Sequence, residues 1–217
     1  TLLHGCDTVV QLWRQQCLER GERIAHREKD LGIWQSYSWR DYYEHARAIG
    51  VALLSMGLER GQPVSILSED NKEWLYCDLG IAGAGGMMFL DELYELGNGI
   101  ADAEEQFSAS IEQSRPDDIR MLIYTSGTTG APKGAMISHQ NVLVQLAAGE
   151  ALLEAREEDD QLCFLPLCHI LERLVSVEVP IYKGCTVNFA ESPETVFDNL
   201  REVSPNTFAA VPRLWEK

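Results

Sequence analysis

The chain is poor in positive charge, in paired cysteine motifs and in long apolar runs, and each shortage excludes a class of protein. Its 217 residues carry 18 Lys and Arg against 34 Asp and Glu, a formal net charge of −16. A bare phosphate backbone is repelled across most of such a surface, which sets nucleic acid aside as a partner. Any small anionic ligand has to be met by a local concentration of donors. Six cysteines are present (Cys6, Cys17, Cys77, Cys163, Cys168, Cys185), without a CxxC pair or a histidine at zinc-finger spacing. They read as buried thiols in a reducing compartment. No apolar run approaches the ~18 residues of a membrane span, and Thr1–Glu22 has no signal-peptide pattern. A cytoplasmic location is expected, with peripheral membrane contact and oligomeric state left open. Repeats and low-complexity tracts are missing too, so a chain that is 45% hydrophobic should fold as one large or two small domains.

What is present is an alternation of helical and strand-like segments. Asp7–Arg20 reads as a helix, followed by strands Arg23–Glu28 and Gly32–Tyr37 joined by a turn at Lys29-Asp30. Ser38-Trp39-Arg40-Asp41 has the form of a capping box, after which Tyr42, Ala46, Ile49, Leu53 and Met56 form an amphipathic stripe ending at Gly57. Pro63–Leu67 is expected to be a short strand and Asn71–Ala82 a helix. Further on come strand Ile119–Tyr124, a glycine-rich loop, strand Gly134–Ile137 and a helix over Gln140–Ala155. The chain then reads as strand Gln161–Leu167, helix Leu171–Tyr182, strand Cys185–Phe189, helix Ser192–Val203 capped by Ser192 with Pro193 first, and strand Thr207–Val211. This rhythm predicts an α/β layered fold with a mostly parallel sheet. Residues 1–86 and 119–217 are its two α/β parts. Between them, Met87–Leu96 looks like a helix entered partway, and the acidic stretch Gly97–Asp118 is anchored only by Ile100, Phe107 and Ile111. Residues 87–118 are therefore expected to be a connector.

The densest chemical signal is Thr125-Ser126-Gly127-Thr128-Thr129-Gly130-Ala131-Pro132-Lys133-Gly134, placed directly after an apolar strand. Three glycines let backbone amides approach a ligand closely, and the Ser and Thr hydroxyls add donors. Together they make a cradle for phosphate oxygens, with Lys133 as a mobile positive charge on a long stem. The P-loop pattern does not fit, because the fifth residue after Gly127 is Pro132 and Lys133 precedes a glycine. Composition alone would also permit an ordinary turn. The acidic run Glu157-Glu158-Asp159-Asp160 reads as a solvated loop, not a metal site.

The string Tyr124 to Ala135, YTSGTTGAPKGA, resembles the phosphate-binding signature of adenylate-forming enzymes, which include acyl-CoA synthetases, luciferases and peptide-synthetase adenylation domains. Leu165–Arg173, LPLCHILER, is similar to the LPLxHxxER stretch of the long-chain fatty acid–CoA ligase (AMP-forming) branch, and Pro205–Lys217 to its VPRxWEK stretch. Tyr37-Ser38-Trp39 and Asn71-Lys72-Glu73-Trp74 match patterns nearer that family's N-terminus. The likeness covers the chain except residues 87–118.

The resemblance implies a reaction in which a fatty acid carboxylate attacks the α-phosphate of ATP, releases pyrophosphate and is passed as an acyl group to coenzyme A. It assigns Thr125, Ser126, Gly127, Thr128, Thr129, Gly130 and Lys133 to the β- and γ-phosphates. His169 falls beside the substrate carboxylate and acyl pocket, in an orienting role. Glu172 and Arg173 read as a structural ion pair, and Arg213 and Trp215 as either border of an acyl channel or core. Magnesium is implied with ATP, but none of these residues is its assigned ligand. Family segments for adenine, ribose and the small C-terminal domain have no counterpart here, and a stretch between Gly86 and Met87 is expected to be missing. Adenylation of another carboxylic acid, or a non-catalytic nucleotide- or acyl-binding module, are the alternatives.

Overall fold

Strands that bury both faces need helices above and below them, and the computed structural model is built on that arrangement. It describes residues 2–62, 64–66, 68, 70–82, 96–125, 133–150 and 155–210, with Tyr124, Thr125 and Lys133 as backbone only. Helix α1 (Val9–Arg20) starts where the Thr8 side chain accepts from the Gln11 N–H. Strands β1 (Ile24–Asp30) and β2 (Ile33–Ser38) form an antiparallel hairpin in which Asp30 pairs with Ile33. The turn is therefore Leu31-Gly32, with φ of 47° and 81°, and not Lys29-Asp30 as expected. Two positive φ values in a two-residue loop are what the strand twist demands, and Gly32 supplies one of them without strain.

Ser38 then caps α2 (Trp39–Ser55) as its sequence predicts. The Asp41 N–H donates to Ser38 Oγ at 3.1 Å, and Ser38 N–H donates to Asp41 Oδ2 at 2.7 Å. The stripe Tyr42, Ala46, Ile49 and Leu53 is buried, whereas Met56, just past the last turn, is exposed. Asn71 caps α3 (Lys72–Ile81), its Oδ1 accepting from the Trp74 N–H at 3.0 Å. α2 and α3 touch backbone to backbone: a Cβ added to Gly80 would lie 2.5 Å from the Ala46 carbonyl oxygen. Between these helices the expected strand at Pro63–Leu67 is not formed at residues 64–66. Val64 and Ile66 pack on the core, but the segment has no ladder partner among the described residues.

Phe107 and Ile111 anchor α4 (Ala103–Glu112) in the core, as anticipated. Strands β3 (Ile119–Thr125) and β4 (Lys133–Ser138) pair antiparallel in a sheet of their own, and α5 (His139–Gly149) follows behind a second capping box of Ser138 and Asn141. β5 (Asp160–Cys163) is shorter than expected, because the Leu167 N–H leaves the sheet to bond Asp70 Oδ1 at 2.9 Å. The expected single helix over Leu171–Tyr182 is instead α6 (Ile170–Arg173), a π-helical stretch (Leu174–Glu178) and α7 (Val179–Lys183). Pro180 explains the widening: within a helix its ring clashes with the preceding turn, and a looser turn relieves the clash. β6 (Thr186–Phe189) precedes α8 (Val196–Val203). That helix does not start at Ser192, whose N–H is held by Thr195 Oγ1 at 3.0 Å in a separate turn. The expected strand from Thr207 is reduced, among the described residues, to one parallel bridge between Thr207 and Gln161.

The larger sheet has the order β2-β1-β6-β5, with β1–β6 and β6–β5 parallel and only the β1–β2 hairpin antiparallel. It thus draws strands from both residues 1–86 and 119–217. Alternation along β1 assigns its faces. His26 packs edge-on against Tyr42 of α2 and Glu28 pairs with Lys72 of α3, while Lys29 reaches Glu202 of α8. Helices therefore cover both faces, as a parallel sheet requires. The core is a continuous cluster that includes Trp13, Trp39, Tyr42, Leu75, Leu79, Leu143 and Phe189; each such side chain, removed from water, contributes about 2–3 kcal/mol. No helix among the described residues is long and apolar enough to cross a membrane. The predicted helix at Met87–Leu96 lies outside the described residues except at its last position.

Candidate functional site

The glycine-rich string joins the ends of the β3–β4 hairpin. Tyr124 pairs with Gly134, and Thr125 pairs with Lys133. The ladder thus fixes the backbones at the two ends of the loop opposite one another, and residues 126–132 connect them. Ser126, Gly127, Thr128, Thr129 and Gly130 lie outside the described residues, as do Arg213 and Trp215. Buried Met121 and Ile123 hold β3 on the core, so the mouth of the hairpin is carried on a rigid element.

His169 sits at the start of α6 as its N-cap. Its Nδ1 accepts from the Leu171 N–H at 3.2 Å, the His169 backbone N–H donates to the Pro166 carbonyl at 2.8 Å, and the residue is exposed. Leu167 is fully buried beside it. One nitrogen held by the backbone leaves the ring oriented, with Nε2 available to donate to an anion. Phe164, at the end of β5, stacks on Phe208 with centroids 5.2 Å apart.

Glu172 and Arg173 do not pair with each other, contrary to expectation. Successive helical residues point about 100° apart, so each finds its own partner. Glu172 is buried and accepts from Ser176 Oγ at 2.6 Å, and burial raises its carboxyl above the ordinary range. Arg173 joins a buried cluster of charges that periodicity did not reveal. Asp78 of α3 accepts from Arg120 Nη1 at 3.0 Å, from Arg120 Nη2, and from Arg173 Nη2. Glu178 lies 3.3 Å from Arg120 Nη2 and 3.9 Å from Arg173 Nε. The Arg173 guanidinium also covers the Trp74 ring at 4.8 Å. Burial alone would raise the Asp78 carboxyl, but Arg120 and Arg173 outweigh it and hold the group below the ordinary range. Glu178 goes the other way, pushed up by burial, and neither of its oxygens makes a hydrogen bond among the described residues. Removing one member of such a cluster leaves a buried charge uncompensated, at a cost of about 3–5 kcal/mol. A sequence signal for it does exist: Arg120 interrupts an apolar strand, and Glu178 stands between valines.

The acidic run is also occupied. Glu157 pairs with Arg20 at 2.6 Å and with Arg23, and Asp160 pairs with Arg27 at 2.7 Å. Among the described residues no group of three or more His, Cys, Asp and Glu is placed to hold a metal ion. All six cysteines are free thiols; Cys6, Cys17, Cys163 and Cys185 are buried as expected, but Cys77 is half-buried and Cys168, in the loop before α6, is exposed, and burial raises Cys17, Cys77, Cys163 and Cys185.

A mostly parallel sheet covered by helices on both faces defines an α/β layered fold, and comparison with known proteins gives it a family. The model for "AMP-binding enzyme" matches residues 13–90 and 88–217. The chain belongs to that AMP-binding enzyme family. It is similar to the long-chain-fatty-acid--CoA ligase ACSBG2 of Xenopus laevis, 28% identical over 281 aligned positions that cover 97% of this chain and 38% of the relative. ACSBG2 of Homo sapiens is 26% identical over 97% of this chain and 41% of the relative. The chain thus spans about two fifths of the length of the curated relatives it matches. Among solved structures, a fatty acyl-adenylate ligase from L. pneumophila in complex with acyl adenylate and pyrophosphate superimposes with a TM-score of 0.74, at 20% identity over 94% of this chain and 44% of that one. O-succinylbenzoate Coenzyme A Synthetase (MenE) from Bacillus subtilis, in complex with AMP, gives 0.69 at 20% identity over 92% and 48%. At that identity the structures speak for the fold, which agrees with the mostly parallel α/β layering read from the sequence.

Proposed function

We propose that this chain is the phosphate-loop portion of an enzyme that activates a long-chain fatty acid with ATP, through an acyl-adenylate, and transfers the acyl group to coenzyme A. The observation that carries the reading is the position of YTSGTTGAPKGA: it closes a hairpin whose ladder ends at Thr125 and Lys133, in a chain similar to long-chain fatty acid–CoA ligases. An anionic carboxylate has to approach a polyanionic triphosphate, so preorganised donors must offset the repulsion and hold the two in line. Amides and hydroxyls of Thr125, Ser126, Gly127, Thr128, Thr129 and Gly130 grip the β- and γ-phosphates, and the Lys133 ammonium follows them as charge shifts. His169 donates through Nε2 to the carboxylate and orients it. Magnesium accompanies ATP as its counter-ion, and we assign it no ligand among the described residues.

We infer as well that the relatives carry residues at the Gly86–Met87 junction that this chain lacks. The support is that the family match falls into two blocks, 13–90 and 88–217, that overlap just after that junction, and that the aligned stretch is longer than the chain itself. A tryptic peptide spanning Gly86 and Met87 would establish that the two are contiguous in the protein, and its replacement by longer intervening peptides would establish the opposite.

Fatty-acid-dependent exchange of radiolabelled pyrophosphate into ATP tests the activity in the intact enzyme. Palmitate-dependent exchange is the expected result. Exchange only with an unrelated acid would move the substrate to another carboxylic acid. ATP binding without exchange would mark a non-catalytic module.

A further inference from the structure

The most unusual chemistry outside the proposed loop is the buried cluster of Asp78, Arg120, Arg173 and Glu178, and its position in the chain gives it a consequence for the site. Arg120 lies on β3, the strand that runs into Thr125 at the mouth of the loop. Arg173 ends α6, the helix that His169 caps. Asp78 belongs to neither element, and it accepts from both guanidinium groups: from Arg120 at two points, one of them 3.0 Å long, and from Arg173 at one.

The fourth member depends on the π-helical stretch. In an α-helix, residues five apart point to different sides. In a π-helix they stack, which is how Glu178 Oε1 comes within 3.9 Å of Arg173 Nε. All four side chains are at least nine-tenths buried. Stability does not account for the arrangement, since buried ion clusters can commonly be replaced by apolar residues without loss. What apolar packing lacks is direction. A bidentate guanidinium–carboxylate contact fixes angle as well as distance, and here one carboxylate fixes two site-bearing elements against each other.

We propose that Asp78 is a positioning residue for adenylate formation: by holding Arg120 and Arg173 together it sets the spacing between the phosphate loop and His169. The inference rests on the proposed function. Displacing one reactant-holding element by about 1 Å costs on the order of 10²-fold in rate, with little effect on the binding of either substrate alone.

The test is pyrophosphate exchange in the intact enzyme with Asp78→Asn, and with Arg120→Lys, which keeps the charge and loses the two-point grip. Each is compared with wild type at varied ATP and palmitate, after a melting curve has established folding. Folded variants are expected to lose about 10- to 10²-fold in kcat, with both KM values within about threefold of wild type. Wild-type kcat in a folded variant, or a raised KM at unchanged kcat, would overturn the proposal. Failure of both variants to fold would also overturn it, by showing the cluster to be core support only. If the wild type itself gives no exchange, the functional reading fails and takes this inference with it; an active wild type beside equally active variants removes the inference alone.

Discussion

Acidification should destabilise this protein through two buried histidines, beginning near pH ~6.5, above the range in which ordinary carboxylates are neutralised. Burial drives His26 down to about 3, helped by Lys72. Its ring is wedged edge-on against Tyr42 with centroids 4.5 Å apart, and its Nδ1 has no hydrogen-bond partner among the described residues. His139, at the start of α5, is likewise lowered to about 3, by burial first and by Arg120 second, while its Nδ1 accepts from the Val9 N–H at 3.2 Å. In the unfolded chain both rings titrate near ~6.5. Between pH 6.5 and 3 the unfolded state therefore binds more protons, so stability falls as pH falls through that window. Each ring contributes about 1.4 kcal/mol per pH unit there, roughly 2 kcal/mol by pH 5 and about 4 for the pair. Set against a typical total of about 5–15 kcal/mol, that brings the protein close to unfolding at pH 4–5. Glu178, raised by burial, works in the opposite sense, and Asp78, held low by its arginines, adds to the loss only below about pH 4. Urea unfolding at intervals from pH 7.5 to 4.5 measures the slope, and His26→Phe, which keeps the aromatic contacts, should remove about half of it. An unfolding free energy that stays flat from pH 7 to 5, or a His26→Phe slope equal to wild type, would refute the reasoning.

Four substitutions test other links. Lys133→Ala in the intact enzyme should slow adenylate formation on the order of 10²–10³-fold while the protein still folds, as losing one positioned charge donor commonly does; an unchanged rate in single-turnover assays removes Lys133 from the mechanism. His169→Ala should weaken use of the fatty acid more than that of ATP, and steady-state KM values showing the reverse would put the ring on the wrong ligand. Gly80→Ala drives a Cβ to 2.5 Å from the Ala46 carbonyl oxygen, so overpacking should cost about 1–3 kcal/mol and lower Tm by several degrees. Leu31→Asn should stabilise by about 1 kcal/mol in urea melts, because Leu31 is 92% exposed at a φ of 47° and asparagine tolerates that conformation far better.

What the sequence made legible was local. The Ser38-to-Asp41 capping box, the Asn71 cap and the Tyr42-to-Leu53 stripe are decided by residues within one or a few turns, and the structure has them where the pattern does. Leucine is a poor residue for the first position of the Leu31-Gly32 turn, so the sequence pattern points to Lys29-Asp30 instead. The pattern over Leu171–Tyr182 implies one α-helix because periodicity cannot register a turn that widens ahead of Pro180. The same widening hid the proximity of Arg173 and Glu178. Asp78 and Arg120 are 42 residues apart in the chain, and Asp78 and Arg173 are 95 apart, so only tertiary folding brings them together. The loop string, by contrast, points to a family that the AMP-binding match shows, since ten residues of fixed order are more specific than their composition, while its grip on phosphate belongs to the proposal.

One consequence of the charge distribution bears on the loop itself. With a net charge of −16 on this chain, an approaching triphosphate is opposed by the chain's own field. Several of the described basic side chains are offset by carboxylates of the same chain. Arg120 and Arg173, the cations nearest in sequence to the loop strand and to His169, are buried against Asp78 and Glu178. On the surface Arg27, Lys29, Arg60, Lys72 and Lys183 each have a carboxylate within 4 Å. An ion pair seen from a Debye length away is nearly neutral. On the proposed function, attraction of the nucleotide to this chain is short-ranged, supplied by backbone amides, hydroxyls and the Lys133 ammonium. It follows that ATP association should depend only weakly on ionic strength, and that the catalytic cost of Lys133→Ala should persist at high salt, where a loss arising from long-range steering would disappear.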